Sequence, residues 1–162
     1  MNEYPAQTIP NPLISEIKKT FFLHRNGIVA DALRKNGISH KFIMGLQLPE
    51  IGEIAKKYPE DKKLAKDLWQ DKESRESRLL AIYLFPKQDI TLDETLELIA
   101  DVKSREEAEI LAFRFLKYLS FAKDLIDNNL WNRTSLSEEA FHCILMLKKN
   151  LQAMGLIDGE SL

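Results

Sequence analysis

The chain has 162 residues, 44% of them hydrophobic, and sets 23 Lys plus Arg against 25 Asp plus Glu for a formal net charge of -2. That length suits one domain burying about two-thirds of its unfolded surface, and the slight acidity excludes an overall basic field for nucleic acid, so any polyanion site is local. No run approaches the roughly eighteen apolar residues of a membrane span, and the lone Cys143 with scattered His24, His40 and His142 excludes an internal disulfide or a spaced metal-ligand set. Neither a cofactor nor a metal is therefore expected. The start, Met1-Asn-Glu-Tyr-Pro5, has no charged and then apolar leader, which makes a cytoplasmic location the expectation.

In chain order, residues 1–10 carry two prolines and no periodicity, and read as an irregular lead-in. A single helical domain is expected over 11–154, with about eight helices and no sustained period-2 alternation. Pro12, Pro49, Pro59 and Pro86 suit first helical turns or the residues just past a helix end. Between Arg25 and Lys41 the cations Arg25, Arg34, Lys35 and Lys41 face only Asp31, making this stretch the best local polyanion candidate, although a solvated helix face is the commoner explanation of such a stretch. Leu79 with Tyr83, Leu80 with Leu84, and Leu92, Leu96 and Ile99 recur at helical spacing. Ser/Thr-x-x-Glu capping boxes at Thr91 to Glu94, Ser104 to Glu107 and Ser135 to Glu138 mark helix starts. Residues 155–162 read as a loose tail.

An internal repeat organises these helices. Leu79 to Phe85 lies over Ile110 to Leu116 at an offset of 31, and Ser104 and Ser135 share that spacing. A period of this size in helix pairs predicts an all-α, HEAT-like solenoid, an α-α superhelix in which no unit buries its apolar face alone. The remaining segments offer no Gly-rich phosphate loop and no zinc or serine-hydrolase motif. Cys143 reads as core packing, and His142 beside it cannot form a dyad because successive helical residues point apart. Arg75 and Arg78 read as surface residues or as ion-pair partners between repeats.

Three segments carry a likeness to a family: Met44-Gly-Leu-Gln-Leu-Pro49, then Leu64-Ala-Lys-Asp-Leu-Trp69, then Arg75-Glu-Ser-Arg-Leu-Leu-Ala81. Together with a weaker match at Asn26 to Arg34, they resemble the AlkD-type DNA alkylation repair proteins over roughly residues 20–130. The resemblance implies a helical-repeat fold, duplex DNA with alkylated bases as partner, and hydrolysis of the N-glycosidic bond of N3- or N7-alkylpurines as the activity. It also implies a Trp-Asp-x-x-Asp motif on the concave face. The matching stretch here is Phe121 to Asp127, which keeps Asp124 and Asp127 but puts Lys123 where the tryptophan belongs. Asp127 is the candidate catalytic carboxylate, because a preorganised anion stabilises the sugar cation left by a departing cationic base, and Asp124 is its support; read from the residues alone, the two are a charge pair on an exposed helix turn near Asn128 and Asn129. Arg25, Arg34, Lys35, Lys41, Lys117 and Lys123 are the candidate DNA contacts. Two departures weigh against excision. Lys123 opposes a cationic base, and Trp131 and Arg133 come too soon after Asp127 to supply the family's distal Trp and Arg. The readings that stand are a DNA-binding repair protein, a glycosylase in reduced form, and a catalytically silent scaffold that holds a protein or nucleic-acid partner on its concave face.

Overall fold

A computed structural model describes residues 11–131 and 135–159; the expected lead-in at 1–10, Arg133 and the last three residues of the tail lie outside them. Among the described residues there are nine α-helices and no strand: α1 (Pro12–Leu23), α2 (Gly27–Lys35), α3 (Leu48–Ala55), α4 (Lys62–Gln70), α5 (Arg75–Leu84), α6 (Leu92–Ala100), α7 (Arg105–Arg114), α8 (Asn128–Trp131) and α9 (Glu138–Ala153). Two 3-10 turns, Leu116–Tyr118 and Ala122–Ile126, follow α7. None of these helices is long and apolar enough to cross a membrane.

Side-chain caps start the helices where polar residues precede apolar ones. Asn11 precedes Pro12 and accepts from Leu13 N, Asn26 caps α2, Asp61 caps α4, Ser74 caps α5 and Ser104 caps α7. The Thr91 and Glu94 box at α6 forms as the sequence predicts. At α9 the cap is Ser137, whose hydroxyl accepts from Ala140 N, and not Ser135. The serine one residue before Glu138 satisfies the first-turn amides, and Ser135 stands too far upstream to do so.

The helix starts correct the repeat as well. Lys62 and Leu92, like Arg75 and Arg105, are 30 residues apart, and so are the caps Asp61 and Thr91, Ser74 and Ser104. The offset of 31 came from the apolar run and from pairing Ser104 with Ser135, which is not the cap of α9. The pair α4 and α5 is thus followed by the pair α6 and α7. Helices α3, α5 and α7 pack in succession, α9 packs on α7 and touches α6, and α1 touches α4. One continuous core runs through them, including Leu64, Leu68, Trp69, Leu80, Leu111, Phe115 and Leu147. Leu80 and Phe115 are both completely buried. We expect Leu80→Ala to cost about 2 to 4 kcal/mol and Phe115→Ala about 3 to 5 kcal/mol in urea unfolding, through the cavities they leave. Values below about 0.5 kcal/mol would contradict their place in the core.

The sequence left Arg75 and Arg78 between surface and inter-repeat roles, and the structure buries both between repeats, with 2% and 0% exposure. Arg75 reaches Glu106 of α7 through Nε and Nη2 at 2.7 and 2.9 Å, pairs with Glu76 and donates to Leu46 O. Glu76, also buried, accepts from Met44 N at 2.7 Å and Gly45 N at 3.4 Å, which pins the loop before α3 onto α5. Gly45 itself has φ +84°, and an added Cβ would run into Asn26 O and come within 2.9 Å of Ala30 N, both backbone atoms. Gly45→Ala therefore combines left-handed strain with a clash that no side chain can relieve. A loss of about 3 kcal/mol or more is expected in chemical denaturation, and an unchanged midpoint would show that the loop adapts freely.

Candidate functional site

The carboxylates of the partial motif stand at the end of the repeat and not on a long helix. Asp124 belongs to the 3-10 turn Ala122–Ile126 and Asp127 ends it; both side chains are exposed, as is Lys123. Asp127 Oδ1 accepts from Asn129 N at 2.9 Å, so the carboxylate caps the short α8. Trp131 folds back to donate its indole N–H to Leu125 O at 2.6 Å. This arrangement stabilises a turn. Neither aspartate has the enclosure that would strengthen its field on a reacting sugar.

The candidate cations fall into separate groups. Arg34 donates Nη1 to His40 O and Nη2 to Lys41 O, both at 3.0 Å, and so closes the loop after α2. Arg25 donates to Phe22 O and lies 3.9 Å from the centre of the Phe22 ring, while Lys41 sits 5.4 Å from that of Phe42. Lys35 is exposed in the last turn of α2. Lys117 is on the 3-10 turn just past α7, 3.6 Å from the ring centre of Phe113 and 5.1 Å from that of Tyr118.

Around Lys117 the structure assembles a strip the sequence reading missed. Arg114 lies 4.4 Å from the ring centre of Tyr83 on α5, Lys117 covers Phe113, and Lys87 approaches Tyr118 at 4.7 Å. Phe113 and Tyr118 are 53% and 52% exposed, so the rings are accessible beside their cations. Among the described residues Arg114, Lys117 and Lys87 make no ion pair with a carboxylate. Burial pushes the Tyr83 hydroxyl above the usual tyrosine value, against the opposing pull of Arg114. Two adjoining clefts flank the strip. One of about 430 Å³ runs from Leu48, Pro49 and Gly52 of α3 to Tyr83 and Arg114. The other, of about 330 Å³, lies between Leu48, Glu109, Phe113 and Arg114 and reaches Met146 and Asn150 of α9. Glu109 at its edge is held by His142 at 3.0 Å. The spacing Phe113 to Lys117, one helical turn, was the signal available in the sequence.

Exposed rings with unneutralised cations between them offer stacking surface and positive charge to a polyanion with flat groups. Cys143 is fully buried, and that burial pushes its thiol up to about 12. Comparison with curated proteins gave no match, and neither did comparison with solved structures. The family model described as DNA alkylation repair enzyme matches residues 17–147, from α1 through most of α9. With well over half of its length inside that match, and with its repeats built on the helices the match covers, the chain belongs to the DNA alkylation repair enzyme family.

Proposed function

We propose that this protein binds duplex DNA through the strip of Tyr83, Arg114, Phe113, Lys117, Tyr118 and Lys87, and that it leaves glycosidic bonds intact. One observation carries the reading: three cations without carboxylate partners among the described residues rest on aromatic rings along α5, α7 and the turn that follows. A side chain already stacked on a ring has less conformational freedom to lose when it meets a phosphate. Family membership supports alkylated DNA as the natural partner. The exposed, capping role of Asp127 supports binding without excision, since a solvated carboxylate does little for a developing sugar cation.

Fluorescence anisotropy with a labelled duplex tests the binding. We expect affinity to fall with salt at a slope near 0.9 per phosphate neutralised, or about 3 for the three strip cations. Absence of binding at low salt would overturn the reading and leave a scaffold for protein partners. In parallel, release of 7-methylguanine or 3-methyladenine from methylated DNA is expected to stay at background. Robust release that disappears in Asp127→Asn would instead establish a minimal glycosylase.

A further inference from the structure

On the opposite pair of helices, α4 and α6 stand apart across a cleft of about 430 Å³. Its floor is apolar and comes from three elements: Trp69 of α4, Phe85 just past α5, and Ile90 and Leu98 before and within α6. Lysines bridge the cleft at its ends, Lys62 and Lys66 to Glu94 at 3.0 and 2.6 Å and Lys72 to Asp101 at 3.4 Å. These bridges hold the Glu94 carboxyl down at about 2, chiefly through the hydrogen bonds from Lys66 and Lys62.

Two features of the cleft are left unmatched by the chain itself. The carboxylates of Asp67 of α4 and Glu97 of α6, one on each wall, have no ion-pair or hydrogen-bond partner among the described residues. Trp69 is 2% exposed, and its indole N–H is a buried donor with no acceptor among the described residues. Burying such a donor unpaired costs about 1 to 3 kcal/mol.

We propose that this cleft docks a basic, apolar-anchored segment of a partner protein, with one large side chain seated on Trp69, Phe85, Ile90 and Leu98. The segment's flanking cations meet Asp67 and Glu97. The volume admits one large side chain with adjoining backbone, which is how interface anchors are seated. The sign of the partner follows from the carboxylates: Glu94 and Asp101 are already answered by lysines, while Asp67 and Glu97 would repel an acidic segment and are neutralised by a basic one.

The test uses the full chain, labelled with 15N, and the peptide acetyl-Lys-Arg-Phe-Leu-Lys-Arg-amide; no DNA is present, so its result is independent of the DNA reading. Titration should shift the Trp69 indole resonance, assigned by the loss of the other indole signal in Trp131→Phe, together with backbone amides of α4 and α6. A Kd on the order of 100 μM is expected for so small an interface. The doubly substituted Asp67→Lys, Glu97→Lys chain, checked for an unchanged helical spectrum, should bind at least about tenfold more weakly. Replacing Phe and Leu of the peptide by Ala should abolish the shifts. The proposal is overturned by unperturbed α4 and α6 resonances at millimolar peptide, by equal binding of the peptide with Glu in place of every Lys and Arg, or by shifts confined to α5 and α7.

Discussion

Arg78→Met should lower stability by about 3 to 5 kcal/mol, the largest loss expected of any single side chain outside the apolar core. The completely buried guanidinium uses all five of its donors. Nε donates to Glu107 at 3.0 Å, Nη1 to Trp69 O at 2.8 Å and Asp101 Oδ2 at 2.9 Å, and Nη2 to Asp101 O at 2.6 Å and Glu107 at 3.4 Å. Its plane also lies 3.6 Å from the Trp69 ring centre. Methionine keeps much of the volume but strands Glu107, which is itself fully buried and shares its carboxylate with His40 and with Lys103 N. An uncompensated buried charge, not the lost attraction, dominates the cost. Thermal unfolding should fall by on the order of 10 °C for a chain of this size. Arg78→Lys should recover only part, since one ammonium cannot serve two carboxylates and two carbonyls at once. Adding Glu107→Leu to Arg78→Met should cost less than the sum of the two, because the stranded charge is gone. A drop under about 2 °C for Arg78→Met would mean that water reaches Glu107 and the network is not sealed.

That network shows where the sequence was legible and where it stopped. Helix starts at Thr91 and Ser104 could be read directly, because a cap is a local contract between residues three apart. The all-helical repeat was legible for the same reason. Burial of Arg75, Glu76 and Arg78 was not, since a run of charges ordinarily marks a solvated face. Their partners Glu106 and Glu107 lie one repeat along the chain, 31 and 29 residues away, and only the packed stack brings them together. The exposure of Asp124 and Asp127 on a turn was readable, but the tightening of the chain there into 3-10 geometry was not. The strip around Lys117 was half legible, with Phe113 and Lys117 one turn apart, whereas Tyr83 and Lys87 join it from α5 and the loop beyond.

Reversing two charges of that strip, Arg114→Glu with Lys117→Glu, should weaken duplex binding by roughly 100-fold or more at low salt and lower the salt slope by about 1.8. Each substitution removes one cation that releases a counterion and places a like charge against the phosphates, so affinity and slope must change together. The fold should tolerate both. Arg114 is exposed and Lys117 half-buried, neither has a carboxylate partner to strand among the described residues, and the local cost is confined to the cation–ring contacts and to the favourable charge at the end of α7. That sum is about 1 to 2 kcal/mol. Phe113→Ala, which keeps every charge, should weaken binding with little change in slope if bases or sugars rest on the ring. Lys149→Glu, on the exposed face of α9 and outside the strip, should cost only the long-range share, which falls away beyond about 10 Å at 0.1 M salt. Lys149→Glu changes the net charge by about half as much as the double reversal, so if it lowered log affinity and slope by half as much, binding would follow net charge alone, and the strip would not be where the duplex lies.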